Sequence, residues 1–404
     1  MNDLQSFLYN NIRKILTKDC IDYSILSIED QYELYEICKA HEIHLLVYET
    51  FKISNMNGFD KSLLLEWKGK YLKNTLNLIA KVQHVKDLFA LFDSSKLDVM
   101  VLKGFSYSRY YINPSVRRMD DIDLFVAETQ ITKACEILED YGYRQLSDGG
   151  VKSHHLVFVS KGQLPIELHT ELVDQMSFPY IYDMMYELFD DAYKTSYQGI
   201  NFTSSSAEYE LLFCIVHIYK HYCGVGFGFK QLCDLYYIIS ETQLDWVLIT
   251  EKLKHYKILN FSVGIFTILN DDFNIEIPKF VFETIIIEQN IMNLFRDDIY
   301  LSGAFGFHNK SKYLSNHIAD YKLDNDINGI KFKLYIEYLF PAKEHMLAYK
   351  EFQYCKRNGL LLPIAWIHRI FKHLLMGNIS MNKNYINKEF INNRILLKKW
   401  VKDI

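Results

Sequence analysis

The chain has 404 residues, of which 49% are hydrophobic and 24% are charged, and its formal net charge is −5. This length is sufficient for two or three domains, each with a hydrophobic core of its own. The negative net charge argues against bulk binding of nucleic acid, although a local basic patch remains compatible with it.

Cysteine usage and apolar runs bear on the compartment. Seven cysteines are scattered along the chain without a Cys-x-x-Cys pair, which predicts free thiols in a reducing environment. Charged residues interrupt the apolar positions of the first 18 residues, and no apolar run is long enough to span a membrane. We therefore predict a cytoplasmic protein without membrane partners.

Apolar residues in the first quarter of the chain recur at helical spacing. Between residues 24 and 92 they return every three or four positions, as in Leu63, Trp67 and Tyr71. This pattern predicts an N-terminal helical region over residues 1–94.

The period then changes to that of strands and short helices. The predicted elements are, in chain order, a strand over 97–102, a helical turn over 105–111, a strand over 122–126, a helix over 131–141 and two strands over 154–160 and 164–172. Lys161-Gly162 joins the last two strands, which predicts a hairpin. These elements predict a small α/β core over residues 95–178.

Helical spacing returns after the predicted core. The predicted helices cover residues 208–222, 230–240, 244–255, 275–295, 331–339 and 364–375. They form a C-terminal helical region over residues 179–404. The predicted fold class is α+β, with a small mixed sheet embedded in largely helical flanking regions.

Two acidic residues lie at the start of the predicted strand 122–126. Side chains alternate between the faces of a strand, so Asp121 and Asp123 share one face while Ile122 and Leu124 point into a core. Adjacent carboxylates repel each other unless a cation lies between them, and Mg²⁺ typically binds one or two carboxylates together with substrate phosphates. The pair therefore favours phosphoryl or nucleotidyl chemistry.

The last strand of the predicted core supplies a third acid. Glu167 and His169 share a face of this strand. If the strand pairs with that of Asp121 and Asp123, three carboxylates converge, a set able to hold two metal ions about 3.5–4 Å apart. His169 has two open interpretations: a core histidine, or a residue that orients a ligand.

A Lys-Gly-x-Ser turn precedes the acidic pair. Gly104 allows close approach of the backbone to a phosphate, and Ser106 offers a hydroxyl at a helix N-terminus. Lys103 either contacts a triphosphate or lies solvated at the strand end. Arg117 either contacts a phosphate bidentately or balances the neighbouring acids.

Two histidines one helical turn apart, His217 and His221, lie in a cysteine-containing segment. The spacing of these cysteines matches no zinc pattern. We expect the two histidines to line the cleft or to pack against the α/β core.

The motifs together resemble those of the nucleotidyltransferase superfamily, whose signature is Gly-Gly or Gly-Ser, then Asp-x-Asp, then a more distant third acid. The closest resemblance is to a large bacterial group of uncharacterised nucleotidyltransferases. It is carried by Leu102-Lys103-Gly104, by the strand at residues 117–126 and by Glu167-Leu168-His169. Two departures are Phe105, which separates Gly104 from Ser106, and Glu167, which replaces the commoner Asp.

The resemblance implies a polymerase-beta-like core and an enzyme. Asp121, Asp123 and Glu167 are the implied catalytic residues and metal ligands, with Mg²⁺ or Mn²⁺ as the ion. The implied nucleotide-binding residues are Lys103, Gly104, Ser106, Arg117 and His169. The reaction would transfer a nucleoside monophosphate from an NTP, predicted as ATP, to a small-molecule, protein or RNA acceptor and release pyrophosphate.

Two alternatives stay open at this point. The first is a toxin-like transferase that acts on tRNA or protein, which needs a basic groove that the net charge does not indicate. The second is a non-catalytic regulatory protein that binds nucleotide. Release of pyrophosphate from any NTP distinguishes the enzymes from the second alternative.

Overall fold

The structure is a computed structural model. It describes residues 3–146, 155–283, 285–306, 308, 309, 312, 340, 343, 346, 352, 354, 361–375 and 388–402. The chain forms two compact units: Met1–Leu146 with His154–His308 and Lys399–Ile404, and Ser147–Ser153 with Asn309–Lys398. All the strands described here lie in the first unit.

Helices account for most of the described residues. They are α1 Asp3–Thr17, α2 Ile28–Ala40, α3 His44–Thr50, α4 Lys61–Ser94, α5 Gly104–Ser108, α6 Ile131–Asp140, α7 Met184–Asp190, α8 Ala207–Gly224, α9 Phe229–Glu241, α10 Trp246–His255, α11 Leu259–Asp271, α12 Gln289–Ser302, α13 Leu362–Leu375 and α14 Lys388–Lys402. None of these described helices is long and apolar enough to cross a membrane.

The strands form one mixed sheet. They are β1 Met100–Leu102, β2 Ile122–Phe125, β3 Arg144–Gln145, β4 His155–Val159, β5 Ile166–His169, β6 Tyr193–Tyr197 and β7 Ile200–Ser204. Their order across the sheet is β3-β4-β5-β2-β1-β7-β6. Strand β2 is antiparallel to β1 and parallel to β5, and β4 and β5 form the predicted hairpin. The predicted α+β class is confirmed, and β5 pairs with β2, which is the condition under which the sequence brings the three acids to one face.

The sheet extends past residue 178, where the sequence predicted the core to end. Strands β6 and β7 form a hairpin beyond that boundary, and β7 pairs with β1. Gln198 and Gly199 form its turn with φ values of 51° and 73°, as a two-residue hairpin turn requires. Apolar and polar residues alternate at the start of β7, and this alternation was the available sequence signal. Strand β6 is polar and largely exposed, so it shows no such alternation.

The predicted helix over residues 275–295 is wrong in its first half. Helix α12 begins only at Gln289, and a short 3₁₀ turn at Lys279–Val281 occupies part of the preceding segment. Pro278 explains the difference, because proline lacks a backbone N–H and disfavours helical geometry in the residue before it. The predicted helix over residues 331–339 lies outside the described residues.

One face of the sheet packs against helices α4 and α6. The shared core includes Val85, Leu88, Phe89, Leu138, Ile122, Leu124, Phe158, Ile166 and Leu168. Because side chains alternate along a strand, burial of Ile122 and Leu124 on this face places Asp123 on the other one. The same alternation separates Glu167 from its buried neighbours on β5.

Candidate active site

The turn between β1 and α5 has an unusual backbone conformation. Lys103 has a φ of 43° and a ψ of −145°, and Gly104 has a φ of 38°. Residues with a Cβ rarely adopt such angles, at a cost of about 1–3 kcal/mol. The turn places Lys103 Nζ 2.8 Å from Asp123 Oδ1. The ion pair offsets part of the energetic cost of these backbone angles, and it connects the end of β1 to β2.

The three predicted acids lie on or beside neighbouring strands next to this turn. In the sheet, Asp123 pairs with Leu102 of β1 on one side and with Glu167 of β5 on the other. Asp121 is the residue directly before the first residue of β2. Burial is the largest of the effects that raise the pKa of Asp121 to about 6, and the charges of Asp123 and Glu167 also raise it. The charge of Lys103 lowers it. The three carboxylates therefore form one electrostatically coupled group, here called the acidic cluster.

Asp123 and Glu167 are held in the ionised form. Burial disfavours the charged form of Asp123, yet the Lys103 ammonium and the His169 hydrogen bond hold its pKa well below the usual range. The neighbouring His169 ring also lowers the pKa of Glu167, whereas burial and the Asp123 charge raise it. The cluster thus carries negative charge that a single lysine does not fully balance.

Two histidines lie beside the acidic cluster. His169 Nε2 is 3.2 Å from Asp123 Oδ1 and 3.6 Å from Glu167 Oε2. His155 Nε2 is 3.9 Å from the same Glu167 oxygen, and burial lowers the pKa of His155. The sequence analysis did not place His155 in the site. The signal that could have found it is the hairpin register, which sets His155 directly opposite His169.

Helix α8 borders the cluster. Burial is the largest of the effects that lower the pKa of His217, and Lys103 and His169 lower it further. Burial and Lys103 lower the pKa of His221 to about 4. The Nε2 atoms of these two histidines are 3.0 Å apart. The charge of Lys103 acts on both histidines, which agrees with the expectation that they line the cleft or pack against the α/β core.

The structure does not bring Ser106 to the acidic cluster. Its side chain is fully buried, and its hydroxyl donates to Glu210 and lies 3.2 Å from Ser204 Oγ. Arg109 completes this buried polar group by pairing with Glu210 at 2.9 Å. The residue between Gly104 and Ser106, Phe105, packs into the core below the sheet. Ser106 therefore connects α5 to α8.

Arg117 also lies apart from the acidic cluster. Its Nε and Nη2 atoms donate to the two carboxylate oxygens of Asp234 at 2.7 and 3.0 Å, and the pair is buried. Its Nη1 atom donates to the carbonyl oxygen of Gly104 at 2.8 Å. Neither predicted alternative describes this role. The guanidinium joins helix α9 to the turn, and its burial against Asp234 and Gly104 does not match the predicted phosphate contact.

A second cation that the sequence analysis missed approaches the acidic cluster. Lys230, on α9, lowers the pKa of Asp121 and forms an ion pair with Glu42. Arg118 also approaches Glu42, at 3.4 Å. Lys230 comes more than 100 residues after Asp121 and Asp123, and no spacing rule in the sequence connects it to them.

The sequence model of a family described as "Uncharacterised nucleotidyltransferase" matches residues 27–274, which is more than half of the chain. The chain belongs to this nucleotidyltransferase family. The match includes the acidic cluster, the β1–α5 turn and helices α8 and α9.

Two solved structures resemble parts of this nucleotidyltransferase. The antibiotic-resistance factor ANT(2'')-Ia is 14% identical, with a TM-score of 0.32 over 45% of this chain and 89% of its own. An antigenic nucleotidyltransferase-like protein from Paracoccidioides brasiliensis is 18% identical, with a TM-score of 0.35 over 50% of this chain and 95% of its own. No curated protein matched the chain. The family assignment therefore depends on the sequence match.

Proposed function

We propose that this protein is a metal-dependent nucleotidyltransferase that moves a nucleoside monophosphate from an NTP to an acceptor and releases pyrophosphate. The observation that carries the proposal is the convergence of Asp121, Asp123 and Glu167 beside the Lys103–Gly104 turn. Three acids at one end of adjacent strands are costly unless they serve a cationic ligand.

The acidic cluster fits a divalent metal ion. Its donors are carboxylate oxygens, which Mg²⁺ and Mn²⁺ prefer. Burial, and after it the charges of Asp123 and Glu167, raises the pKa of Asp121 to about 6. Bound ions would neutralise the triphosphate and lower the pKa of the acceptor hydroxyl. Asp121, Asp123 and Glu167 would hold them.

The protein groups around the cluster have distinct roles in this proposal. Lys103 keeps Asp123 ionised and lies where it can contact a phosphate. Gly104 permits close approach of the backbone to that phosphate. Glu167 is 28% exposed against 3% for Asp123, so it is the better placed of the two to accept a proton from the acceptor.

Two further cationic side chains, Lys230 and Arg117, have different roles in this proposal. Lys230 is the candidate for the outer phosphates, because its charge already acts on Asp121. Arg117 acts through the turn, since its bond to the Gly104 carbonyl fixes the backbone beside the acids. We therefore retain Lys103, Gly104 and His169 as nucleotide-site residues and describe Arg117 as a positioning residue.

The direct test supplies the purified protein with each labelled NTP, with Mg²⁺ or Mn²⁺, and with fractionated cell extract. We expect label to appear in one acceptor fraction with release of an equal amount of pyrophosphate. Label in tRNA or protein would identify the toxin-like alternative. NTP binding without pyrophosphate release under any of these conditions would contradict the proposal and favour a regulatory protein.

The position of Ser106 leads to a stability prediction. Ser106→Ala removes one hydrogen bond to the buried Glu210 carboxylate, which keeps Ser204, Arg109 and Tyr110 as donors. A hydrogen bond to a charged group contributes about 1.5–3 kcal/mol. We expect that loss in the free energy of unfolding, measured with urea, together with an unchanged NTP affinity. The control is Ser108→Ala, because Ser108 Oγ bonds only locally, to the carbonyl oxygen of Phe105. Weaker NTP binding without a loss of stability would restore Ser106 to the nucleotide site.

A further inference from the structure

Nitrogen donors accompany one of the three acids. The ligand atoms of His155, Glu167 and His169 all lie within 4.8 Å of one another. Among the residues that the structure describes, this is the one group of three or more such side chains that meets so closely. Here it is called the histidine triad. It differs from the acidic cluster in its donor chemistry, although Glu167 belongs to both.

The backbone presents the triad on rigid elements. His155 and His169 are directly paired across the β4–β5 hairpin, with ring centroids 5.0 Å apart. Glu167 lies two positions before His169 on β5, so its side chain emerges on the same face. Ligands carried by neighbouring strands hold their spacing better than ligands carried by loops.

The distances are close to those of ligands on a single ion. Glu167 Oε2 lies 3.9 Å from His155 Nε2 and 3.6 Å from His169 Nε2. Two donors that are each about 2.1 Å from one ion stand roughly 3.0–3.4 Å apart at angles of about 90–109°. Both measured separations are wider than this, so the side chains must move toward one another to close around an ion. His169 Nε2 also faces Asp123 Oδ1 at 3.2 Å, so an ion there would replace the proton between them.

The donor set indicates which ions would bind. Imidazole nitrogen favours Zn²⁺ and other late first-row ions, whereas Mg²⁺ prefers oxygen and keeps most of its water. We propose that the histidine triad is a binding site for a divalent transition-metal ion of the Co²⁺ and Zn²⁺ class. Asp121 and Asp123 then form a separate, all-oxygen position suited to Mg²⁺ with the nucleotide.

This inference deepens the proposed function and rests on it only for a catalytic role. Glu167 is the acid assigned to the acceptor, so the transition-metal ion would lie on the acceptor side of the site. Such an ion acidifies a bound hydroxyl more strongly than Mg²⁺ does. Binding of the ion itself is measurable without any transfer reaction.

The first test uses Co²⁺ as the probe on full-length protein that has been freed of metal with a chelator. We expect Co²⁺ to bind with the enhanced visible absorption of a nitrogen-containing site. His155→Ala should weaken binding by at least about tenfold, since even outer partners of metal ligands contribute 10- to 100-fold. The matched control, His255→Ala, changes an exposed histidine at the end of α10 and should leave binding unchanged.

The second test needs no variant and therefore does not depend on the folding of His155→Ala. Crystals of the wild-type protein soaked in Zn²⁺ should show an anomalous scattering peak within bonding distance of all three triad side chains. A peak at His217 and His221 alone, or no protein-dependent Co²⁺ absorption, would overturn the inference.

The two proposals fail in different ways. Transfer that runs on Mg²⁺ alone, in a protein that binds neither Co²⁺ nor Zn²⁺ at the triad, would overturn this inference and keep the nucleotidyltransferase. Tight Co²⁺ binding that requires His155, in a protein that releases no pyrophosphate from any NTP, would keep the metal site and overturn the proposed activity.

Discussion

Asp121→Asn is expected to lower nucleotidyl transfer by roughly 10³-fold, because a metal ligand at the reacting centre supplies several kcal/mol of transition-state stabilisation. The same substitution should leave the folded state equally or more stable at pH 7. Burial and the charges of Asp123 and Glu167 disfavour the Asp121 carboxylate in the folded protein, so a neutral side chain of the same shape removes that repulsion. Steady-state transfer assays and urea unfolding would measure the two effects.

The stability difference should also depend on pH. The folded-state pKa of Asp121, about 6, lies above the ordinary value of 3.8 for an aspartate side chain. A raised carboxyl pKa stabilises the folded state when the group is protonated, and this contribution disappears as the pH rises through about 6. In chelator-treated protein, the stability of Asp121→Asn relative to wild type should therefore increase from pH 4 to pH 7.

The adjacent residue provides a matched control. Asp120 pairs with Arg118 at 2.8 Å and is 41% exposed. Asp120→Asn should retain wild-type transfer and change stability by less than about 1 kcal/mol, as is usual for an exposed pair. Near-normal turnover by Asp121→Asn, or an equal loss in Asp120→Asn, would contradict the assigned site.

Arg117→Met is expected to cause the largest loss of stability, about 3–5 kcal/mol, because it leaves the buried carboxylate of Asp234 without its cation. The substitution also removes the bond from Nη1 to the Gly104 carbonyl. Urea unfolding at 25 °C would measure the change. The neighbouring Arg118 is 46% exposed, so Arg118→Met should cost about 1 kcal/mol or less.

A double variant separates stability from positioning. Arg117→Met combined with Asp234→Leu replaces the buried ion pair with apolar side chains, which is often neutral for stability. We expect part of the stability to return, because the buried Tyr111 hydroxyl loses its Asp234 acceptor at a cost of about 1–3 kcal/mol. Transfer should stay low because the Gly104 carbonyl is no longer held. Recovery of both stability and transfer would show that Arg117 supports the fold alone.

Local sequence patterns were sufficient for the central part of the site. Alternation along β2 and β5 placed Asp123 and Glu167 opposite buried apolar neighbours, and the Lys161-Gly162 signal predicted the hairpin that brings β4 beside β5. These features depend on residues only one or two positions apart. The proline at residue 278 was an equally local signal, and greater weight on it would have shortened the predicted helix over 275–295.

The sequence by itself determined the two acidic strands, because strand periodicity is a property of neighbouring residues. The tertiary structure alone decided which polar side chains join the acids. Ser106 bonds to Glu210, 104 positions away, and Arg117 bonds to Asp234, 117 positions away. A buried charged or hydroxyl group requires a hydrogen-bonding partner close to it in space. The packing of α8 and α9 against the turn determines which residue is that partner.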